Sequence, residues 1–114
     1  MKRRTFLAST SKLSLAMAIS HTLPKRGFAA MLPSDITSLN AVDLSQAIRE
    51  KHASCVEVMQ GYLSRIEKYN SAYNAIVSLQ PEQDLLRQAK EADDELAAGR
   101  YRGWMHGMPH AVKD

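Results

Sequence analysis

A single cysteine, Cys55, stands in the 114 residues. No disulfide can therefore form within the chain. One cysteine and four dispersed histidines cannot build a zinc site either. Cys55 sits at a helix start with no basic neighbour to activate it, which suits a small packing residue better than a nucleophile. Long apolar runs are also lacking. The apolar stretch Leu13–Pro24 is interrupted by Ser14, Ser20, His21 and Thr22, and is well short of the roughly 20 residues of a membrane-spanning helix, so no stable membrane anchor is expected. Acid is absent from residues 1–30, which hold six Lys/Arg, whereas residues 31–114 hold nine Lys/Arg against twelve Asp/Glu. The net charge of +3 is thus the sum of two unlike pieces. It gives no basic surface of the kind nucleic acid requires, and the scattered charges of the second piece suit a solvated face.

Residues 1–30 have the layout of an export signal. Lys2-Arg3-Arg4 is a basic head, Leu13–Pro24 a mildly apolar centre, and Gly27-Phe28-Ala29-Ala30 offers small residues for cleavage after Ala29. Within the head, Arg3-Arg4-Thr5-Phe6-Leu7 resembles the twin-arginine signal, as do the weak hydrophobicity and the basic Lys25-Arg26 near the cleavage site. This implies the twin-arginine export machinery as a partner and a periplasmic or otherwise exported workplace in a bacterium. An ordinary basic N-terminus is the alternative.

Helical patterning dominates residues 31–114. Asn40 is placed to cap a helix with Asp43 in its first turn, and Leu44, Ala47 and Ile48 follow at helical spacing up to about Lys51-His52. Ser54-Cys55-Val56-Glu57 has the form of a capping box. It opens a second helix whose apolar stripe is Val56, Met59, Leu63 and Ile66, ending near Tyr69-Asn70. Pro81 suits the first position of a third helix with Leu85, Ala89, Ala92 and Leu96 on one face and Gly99 at its C-terminal cap. Residues 74–79 (Asn-Ala-Ile-Val-Ser-Leu) are short, partly β-branched and bounded by polar residues, which predicts a strand. Arg100–Pro109 is a glycine- and proline-punctuated loop, and Ala111-Val112 predicts the opening of a second strand.

The chemistry is concentrated at the end, in Gly103-Trp104-Met105-His106-Gly107-Met108-Pro109-His110-Ala111-Val112-Lys113-Asp114. A lysine on an apolar strand loses solvation, which disfavours its charged form and makes it a possible general base. A Lys beside an Asp is more usually an exposed pair at a strand end. By spacing alone the two readings stay open.

That segment resembles the leading motif of the amidase signature family: an apolar residue, His-Gly, an apolar residue, Pro, a few mostly apolar residues, then Lys-Asp. Upstream stretches resemble the same family in order and spacing: Ser38–Leu44 its first helix start, Ser54–Ile66 its second helix, Asn74-Ala75-Ile76-Val77 its "Asn-Ala-Phe-Val" strand, and Ala89–Gly99 its third helix. The resemblance covers residues 35–114. It implies an α/β fold, the N-terminal part of an α/β/α sandwich around a mixed sheet, with this chain itself mostly helical plus one or two short strands. Residues 1–30 are then the signal and 31–114 the N-terminal portion of an amidase domain.

The resemblance also implies hydrolysis of a carboxamide through a Ser-Ser-Lys triad, with a small-molecule amide as substrate and no metal or cofactor. Lys113 is the one triad member with a counterpart here. It would draw a proton, through a bridging serine, from a nucleophilic serine that forms an acyl-enzyme, while backbone N–H groups hold the oxyanion. His106 would belong to the turn before the lysine strand, and His110 falls where the family usually has an apolar or small polar residue. Ser54, Ser64, Ser71 and Ser78 lack the glycine-rich context of the family's serines. The expectation is a truncated amidase, inactive as 114 residues. Two alternatives stand beside it: a fragment of the A subunit of the amidotransferase that acts on glutamyl-tRNA, and a short exported helical binding protein.

Overall fold

The computed structural model describes residues 32–113. The expected signal at 1–30 lies outside them. A 3₁₀ turn at Ile36–Ser38 leads into α1 (Ala41–Arg49), α2 (Cys55–Tyr73) and α3 (Glu82–Ala97), and the chain then runs through a turn at 104–107. Among the described residues no helix is long and apolar enough to cross a membrane.

The helix boundaries follow from local chemistry. Asn40 Oδ1 accepts from the Asp43 N–H at 2.9 Å, and its amide donates back to the Asp43 carboxylate at 2.7 Å. At α2 the capping box is complete: the Glu57 N–H donates to Ser54 Oγ at 3.1 Å and the Ser54 N–H to Glu57 Oε2 at 2.8 Å. Those bonds hold the Glu57 carboxyl below its ordinary range, the bond from the Ser54 backbone most of all. α1 and α3 end in the same way. The N–H of Lys51 reaches Ile48 O and that of His52 reaches Ala47 O; Gly99 and Arg100 make the matching bonds to Leu96 and Glu95. This double closure needs a left-handed residue. Gly99 supplies it freely at φ 77°, whereas Lys51 does so at φ 59° against its own Cβ.

The core is small and lies where α1, the start of α2 and the middle of α3 meet. Leu44, Ala47, Ile48, Ala53, Cys55, Val58, Ala89 and Ala92 are buried. The α1 and α3 faces expected from the periodicity are those that pack. On α2 burial falls on Cys55 and Val58, and the expected stripe of Val56, Met59, Leu63 and Ile66 is only half-buried. The helix also runs on to Tyr73, with Asn74 left-handed as its cap. Pro81 precedes the first position of α3 rather than filling it.

Neither expected strand forms among the described residues. A strand needs a neighbour for its backbone ladder, and no second strand lies within 32–113 to supply one. At 74–79 a side chain takes that role for one residue. Asn70 donates its amide to Ile76 O at 2.8 Å and accepts the Ile76 N–H at 2.9 Å, while Val77 and Leu79 stay exposed. Ala111 and Val112 are exposed and unpaired in the same way.

Candidate active site

The turn that precedes Lys113 is fastened to the helical core at several points. His106 is buried, with 3% of its surface accessible. Its Nδ1 faces the Arg102 backbone N–H at 3.1 Å, so this nitrogen is the acceptor. Its Nε2 lies 2.8 Å from Ala92 O and must be the donor, which fixes the neutral Nε2–H tautomer. Tyr101 lies over the imidazole with ring centroids 5.5 Å apart. Arg102 in turn pairs with the Glu95 carboxylate of α3 through Nη2 at 2.6 Å, and that pairing lowers the Glu95 carboxyl from its ordinary value. From α1, Ser45 Oγ donates to Trp104 O at 2.6 Å.

Gly107 packs against the start of α2. Its φ is 69°, and a Cβ placed there would come within 2.9 Å of Cys55 Cβ and 3.7 Å of Ala92 Cβ. The turn therefore requires glycine for both space and backbone conformation.

A second link joins the same helices from the other side. The Asp93 carboxylate of α3 accepts the Cys55 N–H at 2.7 Å and the Val56 N–H at 3.2 Å, at the N-terminal end of α2 where a negative charge suits the helix dipole. Burial, followed by a hydrogen bond to Asp93 and its negative charge, pushes the Cys55 thiol up to about 12. Cys55 is a protonated packing residue and not a nucleophile.

Asp93 and the Cys55–Gly107 contact were not anticipated from the sequence. The signal for Asp93 was present: it lies four residues after Ala89, beside the apolar face of α3, where an acid calls for a buried donor.

Lys113 itself is exposed, and no hydrogen bond or ion pair engages it among the described residues. Burial relaxes step by step along the segment. His106 is buried, Gly107, Met108 and Pro109 are intermediate, and His110 through Lys113 are exposed. Met108 packs on the core cluster. His110 stands outside both the buried turn and the core. The hydroxyls of Ser45 and Ser54 are committed to Trp104 and to the capping box.

A buried histidine turn on a three-helix scaffold thus leads into an exposed segment that ends in Lys113. The Amidase family profile matches residues 57–114, and the chain belongs to the Amidase family. Among similar proteins, the A subunit of the glutamyl-tRNA(Gln) amidotransferase of Rhizobium johnstonii is 35% identical over 82 residues, covering 71% of this chain and 16% of its own length. The putative amidase AmiD of Mycobacterium tuberculosis is 33% identical over 79 residues, 69% of this chain and 16% of that protein. An amidase of Pseudomonas putida is 34% identical over 84 residues, 71% of this chain and 17% of that protein. The chain thus spans about one sixth of the length of these relatives. No solved structure matches it.

Proposed function

We propose that these residues belong to an exported bacterial amidase and contribute its general base, Lys113. The observation that carries this reading is the family match running through the His106-Gly107 turn to the end of the chain. In the whole protein, neutral Lys113 draws a proton through a bridging serine from the nucleophilic serine. That serine adds to the carboxamide carbon, and backbone N–H groups hold the oxyanion. The proton passes to the leaving amine, the C–N bond breaks, and water then releases the acid from the acyl-enzyme. The fold is an α/β/α sandwich in which residues 74–79 and 111–112 become strands once a mixed sheet offers them partners. Residues 1–30 direct export by the twin-arginine route, and the workplace is the periplasm or beyond.

Both serines lie outside these 114 residues on this reading, since Ser54, Ser64, Ser71 and Ser78 lack the glycine-rich context that the resemblance calls for. The 114-residue polypeptide alone is then inactive. The test is amide hydrolysis by the whole protein, its Lys113→Ala variant and the isolated chain. Activity in the first alone supports the proposal. Full activity of Lys113→Ala, or turnover by the isolated chain, overturns it.

A second reading has support in the relatives that are A subunits of glutamyl-tRNA(Gln) amidotransferases. On that reading the chain is part of an enzyme that amidates glutamyl-tRNA. A reporter fused behind residues 1–30 separates the two: export in a manner dependent on Arg3-Arg4 favours the amidase, and retention in the cytoplasm favours the amidotransferase.

A further inference from the structure

We propose that His106 is the positioning residue for Lys113: the fixed point from which the base is held in reach of its proton donor. The inference rests on the reading of Lys113 as the base and adds a role for a side chain that does not itself meet substrate. Three observations support it. His106 is the one buried polar or charged residue among the described residues. Both its ring nitrogens are used, one on Ala92 O of α3 and one on the Arg102 N–H at the entry to the turn. And the links around it close on themselves: His106 holds Ala92, the neighbouring Asp93 holds the Cys55 and Val56 N–H groups, and Cys55 meets Gly107, the residue after His106.

The segment is thereby rooted on α3 through His106 and Ala92 and on the start of α2 through Gly107 and Cys55. Beyond Met108 it has no such fastening among the described residues, and His110–Lys113 are exposed. Once residues 111–112 pair in the sheet of the whole protein, the root at His106 and the sheet together set where Lys113 stands. A small rotation of the turn about its backbone displaces a side chain six or seven residues farther along by an ångström or more. A misplacement of that size costs about 100-fold in rate.

The two ring nitrogens can be replaced one at a time. In His106→Asn the side-chain oxygen can still accept from the Arg102 N–H but cannot reach Ala92 O. In His106→Gln the amide can still donate to Ala92 O but offers nothing to Arg102. His106→Leu removes both. The experiment measures kcat and KM of the whole protein for a simple primary amide, normalised to the serines titrated by a fluorophosphonate probe. The expected result is a fall in kcat of about 10- to 100-fold for His106→Leu with KM little changed, and partial recovery in His106→Gln or His106→Asn.

An unaltered kcat per titrated serine in all three variants overturns the proposal, even where they melt at lower temperature, because that is the signature of a residue needed for stability alone. If His106→Leu does not fold, the Asn and Gln variants decide: wild-type kcat in both overturns it. Lys113→Ala runs alongside. Should that variant keep its activity, the assignment of the base fails; should it lose activity while the His106 variants keep theirs, only the positioning role fails.

Discussion

Gly107 and Cys55 share a space with no room for another atom. The backbone of Gly107 lies so close to the first turn of α2 that a Cβ would sit 2.9 Å from Cys55 Cβ, and closer still to its sulfur. The residue's φ of 69° adds a conformational demand that is independent of the crowding. A contact between residues far apart in the chain thus fixes which residue the turn can carry.

Gly107→Ala is accordingly expected to destabilise the protein by two separable amounts. Overpacking costs about 1–3 kcal/mol, and a left-handed non-glycine residue adds about 1–2 kcal/mol. Cys55→Gly relieves the first and leaves the second. Urea denaturation of the two single variants and the double variant should therefore show a favourable coupling between them. Strict additivity would mean that the two residues do not collide.

Asp93→Ala should cost about 1–3 kcal/mol, since two backbone N–H groups at a part-buried helix start lose their acceptor. Asp93→Asn retains one acceptor oxygen and loses the charge, so it should fall between wild type and alanine. The order of the three denaturation midpoints checks this.

The Cys55 thiol titrates higher in the folded chain, at about 12 against an ordinary 9.0. The unfolded chain therefore releases this proton first as pH rises. The stabilising contribution is complete below about pH 9 and declines from there towards pH 12. Tyrosines and lysines ionise in the same range, so the measurement is a difference. Melting temperatures of wild type and Cys55→Ala, compared from about pH 8 to 11, should converge as the wild type loses this contribution. Parallel curves would refute it.

Lys51→Gly should raise stability by roughly 0.5–1 kcal/mol, because glycine adopts the left-handed closure of α1 without the penalty borne at φ 59°. The gain is the relief of the Cβ strain less the extra freedom of glycine in the unfolded chain. Thermal unfolding measures it directly, and a loss of stability would show that the lysine side chain has a compensating contact.

Much of the scaffold was legible in the sequence. Asn40 and Ser54-Glu57 announced two helix starts by local chemistry alone, and Leu44, Ala47, Ile48, Ala89 and Ala92 announced two buried faces by their spacing. These features depend on residues within a turn or two of one another. The strands were a different matter. Residues 74–79 have strand composition, but strand formation is settled by a partner, and among the described residues the Asn70 side chain takes both backbone hydrogen bonds of Ile76. On α2 the buried positions, Cys55 and Val58, lie one residue before Val56 and Met59 of the expected stripe, at the helix start whose N–H groups Asp93 of α3 accepts from. At the site, the sequence pointed to Lys113 and to the His106-Gly107 turn through family likeness. It could not show that both ring nitrogens of His106 are spoken for, because one of them answers to Ala92, fourteen residues back.

The Asp93 bonds to Cys55 and Val56 also bear on how this piece opens. The amide protons of a helix's first turn ordinarily exchange with water freely, having no partner inside the helix. Here two of them are shielded by a carboxylate from another helix. Their exchange with deuterium should be slow while α3 is docked and rapid when it swings away, well before α2 itself unwinds. These two protons make the beginning of α2 an internal gauge of whether the helix that carries the His106 anchor is in place.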